Sequence, residues 1–221
     1  MIDFDRLTTR EVPLVPERAA LLFVDVQNFC AHPEGGEFKG LPRAEFEARF
    51  GWFFRHFYET VLPNMQRLQA ACRKAGVEVL YAVIESLTLD GRDRSLDYKI
   101  TGFHVPKGTW DGKVLDAIAP AEDEIVLSKT SSNVFVSTII DYVLRNLGKR
   151  QLVVSGLITD QCVESAVRDG CDLGYLVTLV TDACATYSPS RHEHALAEIK
   201  GYCRQVTTAQ ILTELEGGAD P

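Results

Sequence analysis

Short, unbroken apolar runs constrain this chain most. Ala19 to Val24, Val77 to Ile84, Glu124 to Leu127, Gln151 to Ser155 and Tyr175 to Val180 are rich in Leu, Val and Ile. They do not alternate with polar residues as half-exposed strands do. Runs of this kind read as strands buried on both faces, the signature of a parallel sheet covered by helices. Segments of helical length separate them: Arg43 to Ala75, Ser137 to Leu147, Val163 to Leu173 and Ser190 to Tyr202. Val206 and its neighbours add a last strand, and Ala209 to Leu215 a short helix. The alternation predicts an α/β fold, a three-layer α-β-α arrangement around a mainly parallel, doubly wound, Rossmann-like sheet. Residues 1–17, with Pro13 and Pro16, read as an irregular lead-in, and residues 1–221 as one domain. Pro63 marks a kink or break within Arg43 to Ala75, and Gly76 and Gly148 read as helix stops. Asn28 to Leu41 reads as a loop over the sheet edge. Ser86 to Pro120 is a connection of the length usually found around active sites.

Charge and cysteine content narrow the partners. A net charge of -8 argues against nucleic acid or an anionic membrane as the main partner, and leaves a small molecule. No stretch approaches the ~20 apolar residues needed to span a bilayer. Met1-Ile-Asp-Phe-Asp5 carries acids where a signal peptide is basic, so a cytoplasmic protein is expected. Six cysteines without a C-x-x-C pair fit free thiols in a reducing compartment.

Three polar residues follow predicted strands. Asp25 ends the first run, Lys129 lies two residues past the third, and Cys162 lies in the turn from Gln151–Ser155 into the next helix. In an open parallel sheet these positions converge on one crevice. A thiol at a helix start is expected to lose its proton more easily than a free cysteine. Asp25 can take the thiol proton and later hand it to a leaving amine. Lys129 can keep Asp25 ionised and favour the thiolate. The backbone N–H groups of Ile158 and Cys162 are best placed to hold a developing oxyanion. A structural Asp–Lys pair beside an inert buried thiol is the plainer alternative.

The segments Leu21-Leu-Phe-Val-Asp25-Val-Gln27-Asn-Phe, Val126-Leu-Ser-Lys129 and Gly156-Leu-Ile-Thr-Asp-Gln-Cys162-Val-Glu-Ser-Ala resemble the isochorismatase-like cysteine hydrolases. The similarity runs from about residue 19 to 215. It implies a catalytic triad of Asp25, Lys129 and Cys162, and a cis peptide between Leu157 and Ile158. Members with an Asp-His-His metal site carry it after the first motif. Residues 26–90 here hold only His32 and His56, so neither metal nor cofactor is expected. The cysteine sets the chain apart from vinyl-ether hydrolases and implies the amidohydrolase branch, which acts on carbamoyl, ureido or primary-amide compounds. Such enzymes include the N-carbamoylsarcosine, ureidoacrylate and biuret hydrolases. A redox or detoxifying thiol enzyme, or a silent binding protein, is the alternative.

Asn28, Phe29, Tyr98, Lys107, Trp110 and Tyr187 are the candidates to line a substrate pocket. Lys99 and His104 belong to the same connection as Tyr98. Some rings of the aromatic run Phe46 to Tyr58 are expected to cover the pocket or a partner subunit, with ordinary core packing as the plainer alternative. The family's habit implies a homo-oligomer, a dimer or tetramer.

Overall fold

A computed structural model describes residues 3–4 and 6–217. In chain order it contains β1 (Ala19–Val24), α1 (Asn28–Ala31), α2 (Arg43–His56), α3 (Leu62–Lys74), β2 (Glu78–Ile84) and α4 (Leu96–Thr101). Then come β3 (Ile125–Lys129), α5 (Val134–Ser137), α6 (Ile140–Asn146), β4 (Gln151–Leu157), α7 (Glu164–Asp172), β5 (Leu176–Ala185), α8 (Pro189–Ile199), β6 (Arg204–Val206) and α9 (Thr208–Gly217). The six strands form one sheet in the order β3-β2-β1-β4-β5-β6. Every pairing is parallel.

Alternate residues of each strand enter opposite cores. Leu21 and Phe23 of β1 and Val153 of β4 meet Phe53, Phe57, Met65 and Leu68 of the long α2–α3 helix, with Ile211 of α9. Ala20, Leu22 and Val24, with Leu152 and Val154, meet Val134, Ile140, Val163, Val167 and Ile199 on the other side. All residues of β1 and β4 are buried, as an unbroken apolar run requires at the centre of a three-layer fold. Among the described residues, no helix is long and apolar enough to cross a membrane.

Several boundaries differ from the sequence expectation for local reasons. The helix does not break at Pro63. A π-helical stretch, Phe57–Val61, joins α2 to α3 with helical backbone on both sides. Its wider turn lies where the proline ring would otherwise crowd the carbonyl four residues back. The expected helix from Ser137 to Leu147 is instead split into α5 and α6. The Ser137 and Thr138 hydroxyls donate back to the carbonyls of Asn133 (3.0 Å) and Val134 (2.7 Å), and the Thr138 hydroxyl accepts from the Ile140 N–H. Asn28 to Leu41 is not all loop, since it opens with α1. The connection from Ser86 holds α4, capped by the Ser95 hydroxyl. Strand β3 runs as far as Lys129, and β5 continues to Ala185. The aromatic run packs mainly inward: Phe50, Phe53, Phe54 and Phe57 belong to the core. These four rings follow the core-packing alternative. Tyr58 is exposed.

The strand order reverses between β1 and β4. Chains leave β1 toward β2 and β3, and leave β4 toward β5 and β6. A crevice therefore opens at the carboxyl ends of β1 and β4. Here the two strands also approach unusually closely. Gly156 has φ +143°, and a Cβ on it would lie 2.2 Å from the Val24 carbonyl oxygen. Gly156→Ala is expected to cost about 3 kcal/mol or more through this clash and the positive φ, measurable as a shift in the urea unfolding midpoint.

Candidate active site

The crevice holds three side chains carried by three strands. Asp25 follows β1 directly and has φ 57°, the left-handed region that aspartate enters more readily than most residues. Its N–H continues the ladder to the Ala82 carbonyl (2.8 Å), and its own carbonyl accepts from the Cys30 thiol (3.0 Å). The bend turns the Asp25 carboxylate away from the strand and into the crevice floor.

Lys129 ends β3, two strands from β1, a span of about 10 Å at normal strand spacing. Its long side chain crosses the end of β2 to put Nζ 3.0 Å from Asp25 Oδ2. The ammonium also donates to the Tyr98 hydroxyl (3.1 Å) and the Ser131 carbonyl (3.0 Å), and lies 3.5 Å from Cys162 Sγ. Its three protons thus face three oxygens, with sulfur as a fourth neighbour. Lys129 is 0% exposed and Asp25 2%.

Cys162 reaches the same point from the turn after β4. Thr159–Val163 forms a single π-helical turn that leads into α7. The peptide between Leu157 and Ile158 is cis. Three hydrogen bonds fix the turn from behind. The Thr159 hydroxyl hydrogen-bonds His192 Nδ1 (2.9 Å), while Asp160 accepts from the Thr186 hydroxyl and from Arg191 Nε, both at 2.6 Å. Among the described residues, neither the Ile158 nor the Cys162 N–H donates to a backbone carbonyl outside its own turn.

Among the described residues neither Asp25 oxygen receives a hydrogen bond. The carboxylate faces the Lys129 ammonium as an ion pair, with the Cys162 sulfur beside the same ammonium. Burial raises the proton affinity of Asp25, with the Lys129 charge opposing it. For Lys129, burial favours the neutral amine, but Asp25, Cys162 and Tyr98 together outweigh it and keep the ammonium charged. Burial pushes the Cys162 thiol up to about 12, against the pull of Lys129. This corrects the expectation of an easily ionised thiol. Position at a helix start is outweighed by desolvation at a site where the sulfur is only 7% exposed.

The isochorismatase domain model matches residues 19–211. This chain belongs to the isochorismatase family. A curated relative, ureidoacrylate amidohydrolase RutB of Acinetobacter baylyi, is 28% identical over 216 residues, covering 90% of this chain and 84% of the relative. A cysteine hydrolase from Pseudomonas syringae superposes with a TM-score of 0.78 at 25% identity, covering 94% of this chain and 96% of the other. N-carbamoylsarcosine amidase from Thermoplasma acidophilum aligns with a TM-score of 0.64 at 25% identity, over 86% of this chain and 96% of that one.

The six pocket candidates in this isochorismatase-family chain separate clearly. Tyr98 is buried and touches Lys129 directly. Phe29 packs beside it, in a small cluster with Cys30, Ile84 and Val105. Asn28 is buried, but its amide is engaged by the Trp110 carbonyl (2.9 Å). Tyr187 is half-buried, with its hydroxyl on Glu37. Lys107 and Trp110 do not join the triad. Lys107 is exposed, and Trp110 is 46% exposed with its ring edge-on to His32. Lys99 is likewise exposed, and His104 half-buried. Three contributors escaped the sequence reading: the Ser131 carbonyl, the Cys30 thiol and Glu37. A backbone carbonyl has no residue signature, and Glu37 sits in a Gly-rich stretch with nothing to single it out. Among the described residues, no group of three or more His, Cys, Asp and Glu side chains is arranged to hold a metal.

A thiol raised this far is protonated at neutral pH. Alkylation of Cys162 by iodoacetamide, followed on its own peptide by mass spectrometry, should therefore rise steadily from pH 7 to 10. A plateau below pH 8 would reveal a resting thiolate instead.

Proposed function

We propose that the protein is a cysteine amidohydrolase that cleaves a C–N bond in a small ureido, carbamoyl or primary-amide compound and releases ammonia. The observation that carries this reading is the meeting at Lys129 Nζ, 3.0 Å from the Asp25 carboxylate and 3.5 Å from the Cys162 sulfur. Membership of the isochorismatase family and relatives named for amide and ureido substrates support it.

The reaction needs one proton carrier and one nucleophile. As the substrate carbonyl settles against the sulfur, the thiol proton passes to Asp25 and Sγ bonds to the carbonyl carbon. The oxygen gains negative charge beside the N–H groups of Ile158 and Cys162. Collapse breaks the C–N bond, and Asp25 returns its proton to the departing nitrogen. Water then loses a proton to Asp25 and attacks the thioester. The carboxylic or carbamic acid leaves, and sulfur recovers the proton. A carboxyl of raised proton affinity suits this double role, since it must both accept and release a proton near neutrality. Lys129 keeps the negative charge that passes between Asp25 and Cys162 compensated throughout.

Ammonia release from a panel of ureido and amide compounds tests the proposal. Cys162→Ser should lose activity by about a thousandfold or more, and Asp25→Asn by about a hundredfold or more, with the far-UV spectrum unchanged. Near-normal turnover by Cys162→Ser would exclude the thioester.

A further inference from the structure

At the amino edge of the sheet, the opposite end from the triad, a cavity of about 800 Å³ gathers cations in a chain of net charge -8. Arg18, Arg145, Lys149 and Arg150 line it, and Asp3 is the one acid beside them among the described residues. The fold brings them together for local reasons. Arg18 directly precedes β1 and Arg150 directly precedes β4, and the Arg150 N–H donates to the Arg18 carbonyl (2.8 Å). The register that pairs Ala19 with Gln151 therefore sets the two arginines side by side. Arg145 comes from the last turn of α6, and Gly148, at φ 68°, leads the chain from that helix through Lys149 into β4.

Part of this charge has a structural task. Helices α6 and α7 both end at this edge, where their last carbonyls carry negative partial charge. Arg18 Nη1 donates to the Gly148 carbonyl (3.3 Å), and Arg145 Nη2 to that of Leu173 (2.9 Å), while Arg145 Nε pairs with Asp141 (2.9 Å). Arg18 Nη2 and Arg145 Nη1 keep no protein acceptor among the described residues. Arg150 and Asp3 have partners of their own. Lys149 is different. It is 8% exposed, yet the one acceptor its ammonium meets among the described residues is the Glu17 carbonyl, at 3.3 Å. Water can satisfy its other protons, but the charge still lacks a counter-ion and is repelled by the neighbouring arginines.

From this arrangement we infer that the cavity is a second binding site, for a small anion that carries phosphate groups. Lys149, Arg18 and Arg145 reach it from three separate segments: the turn before β4, the turn before β1, and α6. Cations converging in this way suit a tetrahedral, multiply charged group better than a flat, singly charged carboxylate. The volume falls within the range of small-molecule sites, roughly 300–1,000 Å³, so an organic phosphate or a pair of linked phosphates fits. The seven residues of β4 separate the cavity from the turn of Cys162 by roughly 20 Å. The anion therefore does not meet the sulfur, and the inference stands independently of the amidohydrolase reading.

Calorimetric titration of the intact protein at an ionic strength of about 0.15 M tests it, with pyrophosphate, ADP, adenosine and sulfate as probes. Pyrophosphate or ADP should bind once per chain, about tenfold or more tighter than sulfate. ADP well ahead of pyrophosphate, with adenosine silent, identifies an organic phosphate as the ligand; parity shows that the phosphate groups alone are read. Lys149→Met keeps the length of the side chain and removes its charge, and should weaken binding about tenfold or more; Arg18→Gln should weaken it about threefold or more. Asp25→Asn should bind as the wild-type protein does. Absence of binding by both phosphate probes, equal affinity for sulfate, or unchanged affinity in Lys149→Met and Arg18→Gln would each overturn the site. So would loss of binding in Asp25→Asn, which puts the anion in the crevice instead. If Lys149→Met does not fold, Arg18→Gln and the sulfate comparison decide.

Discussion

A fully buried ion pair between Lys129 and Asp25 holds the carboxyl edge of this sheet together. Taking two such charges out of water costs several kcal/mol each, and their attraction makes this good only when the remaining donors and acceptors are also met. Around Lys129 they are met. The Tyr98 hydroxyl and the Ser131 carbonyl each accept a hydrogen bond, and Asp25 faces the ammonium as its counter-ion. Those partners come from β1, from the long connection after β2 and from the turn after β3. One ammonium therefore fixes three otherwise separate segments relative to one another. The sulfur from the turn after β4 joins them at 3.5 Å. A hydrocarbon pair of similar volume would fill this space equally well, so the reason to hold charge here is chemical.

The backbone is irregular where those side chains must be aimed and regular elsewhere. Asp25 sits in the left-handed region, Gly156 lets β4 approach the backbone of β1, and Cys162 lies on a π-helical turn kinked at Asp160. All three lie at the switch point between β1 and β4. Each is disfavoured taken singly, and each persists because buried neighbours leave it no alternative. Thr159 on His192, and Asp160 on Thr186 and Arg191, show how this is done for the sulfur. The turn is tied to β5 and α8 by side chains that take no part in the chemistry.

The sequence made some of this legible and hid the rest for physical reasons. Strands β1 and β4 could be read because burial on both faces leaves an apolar signature in the chain itself. The placement of Asp25, Lys129 and Cys162 together followed from topology, since each closes or follows a strand of a parallel sheet. Which of kink and break holds at Pro63 was not legible, because a five-residue π stretch leaves no compositional trace. Nor was the division between α5 and α6, where two hydroxyls compete with the helix for its own carbonyls. The exposure of Lys107 and Trp110 depended on how a long connection folds back, which has no periodicity to read.

The proton affinity of Cys162 shows most clearly why local reasoning stops short. A helix start and a neighbouring ammonium both favour thiolate, and both can be read from the chain. Desolvation opposes them and belongs to the fold as a whole; at this site it wins. The outcome bears on what the cysteine can do. A sulfur that senses peroxide is exposed and ionised, whereas Cys162 is buried and keeps its proton. In the proposed reaction the nucleophile would form only as Asp25 takes that proton, and Asp25, desolvated itself, is made a stronger base by the same burial. On that reading the environment that quiets the thiol also strengthens the base that would activate it, a pairing that suits acyl transfer to a bound substrate better than redox chemistry at this sulfur.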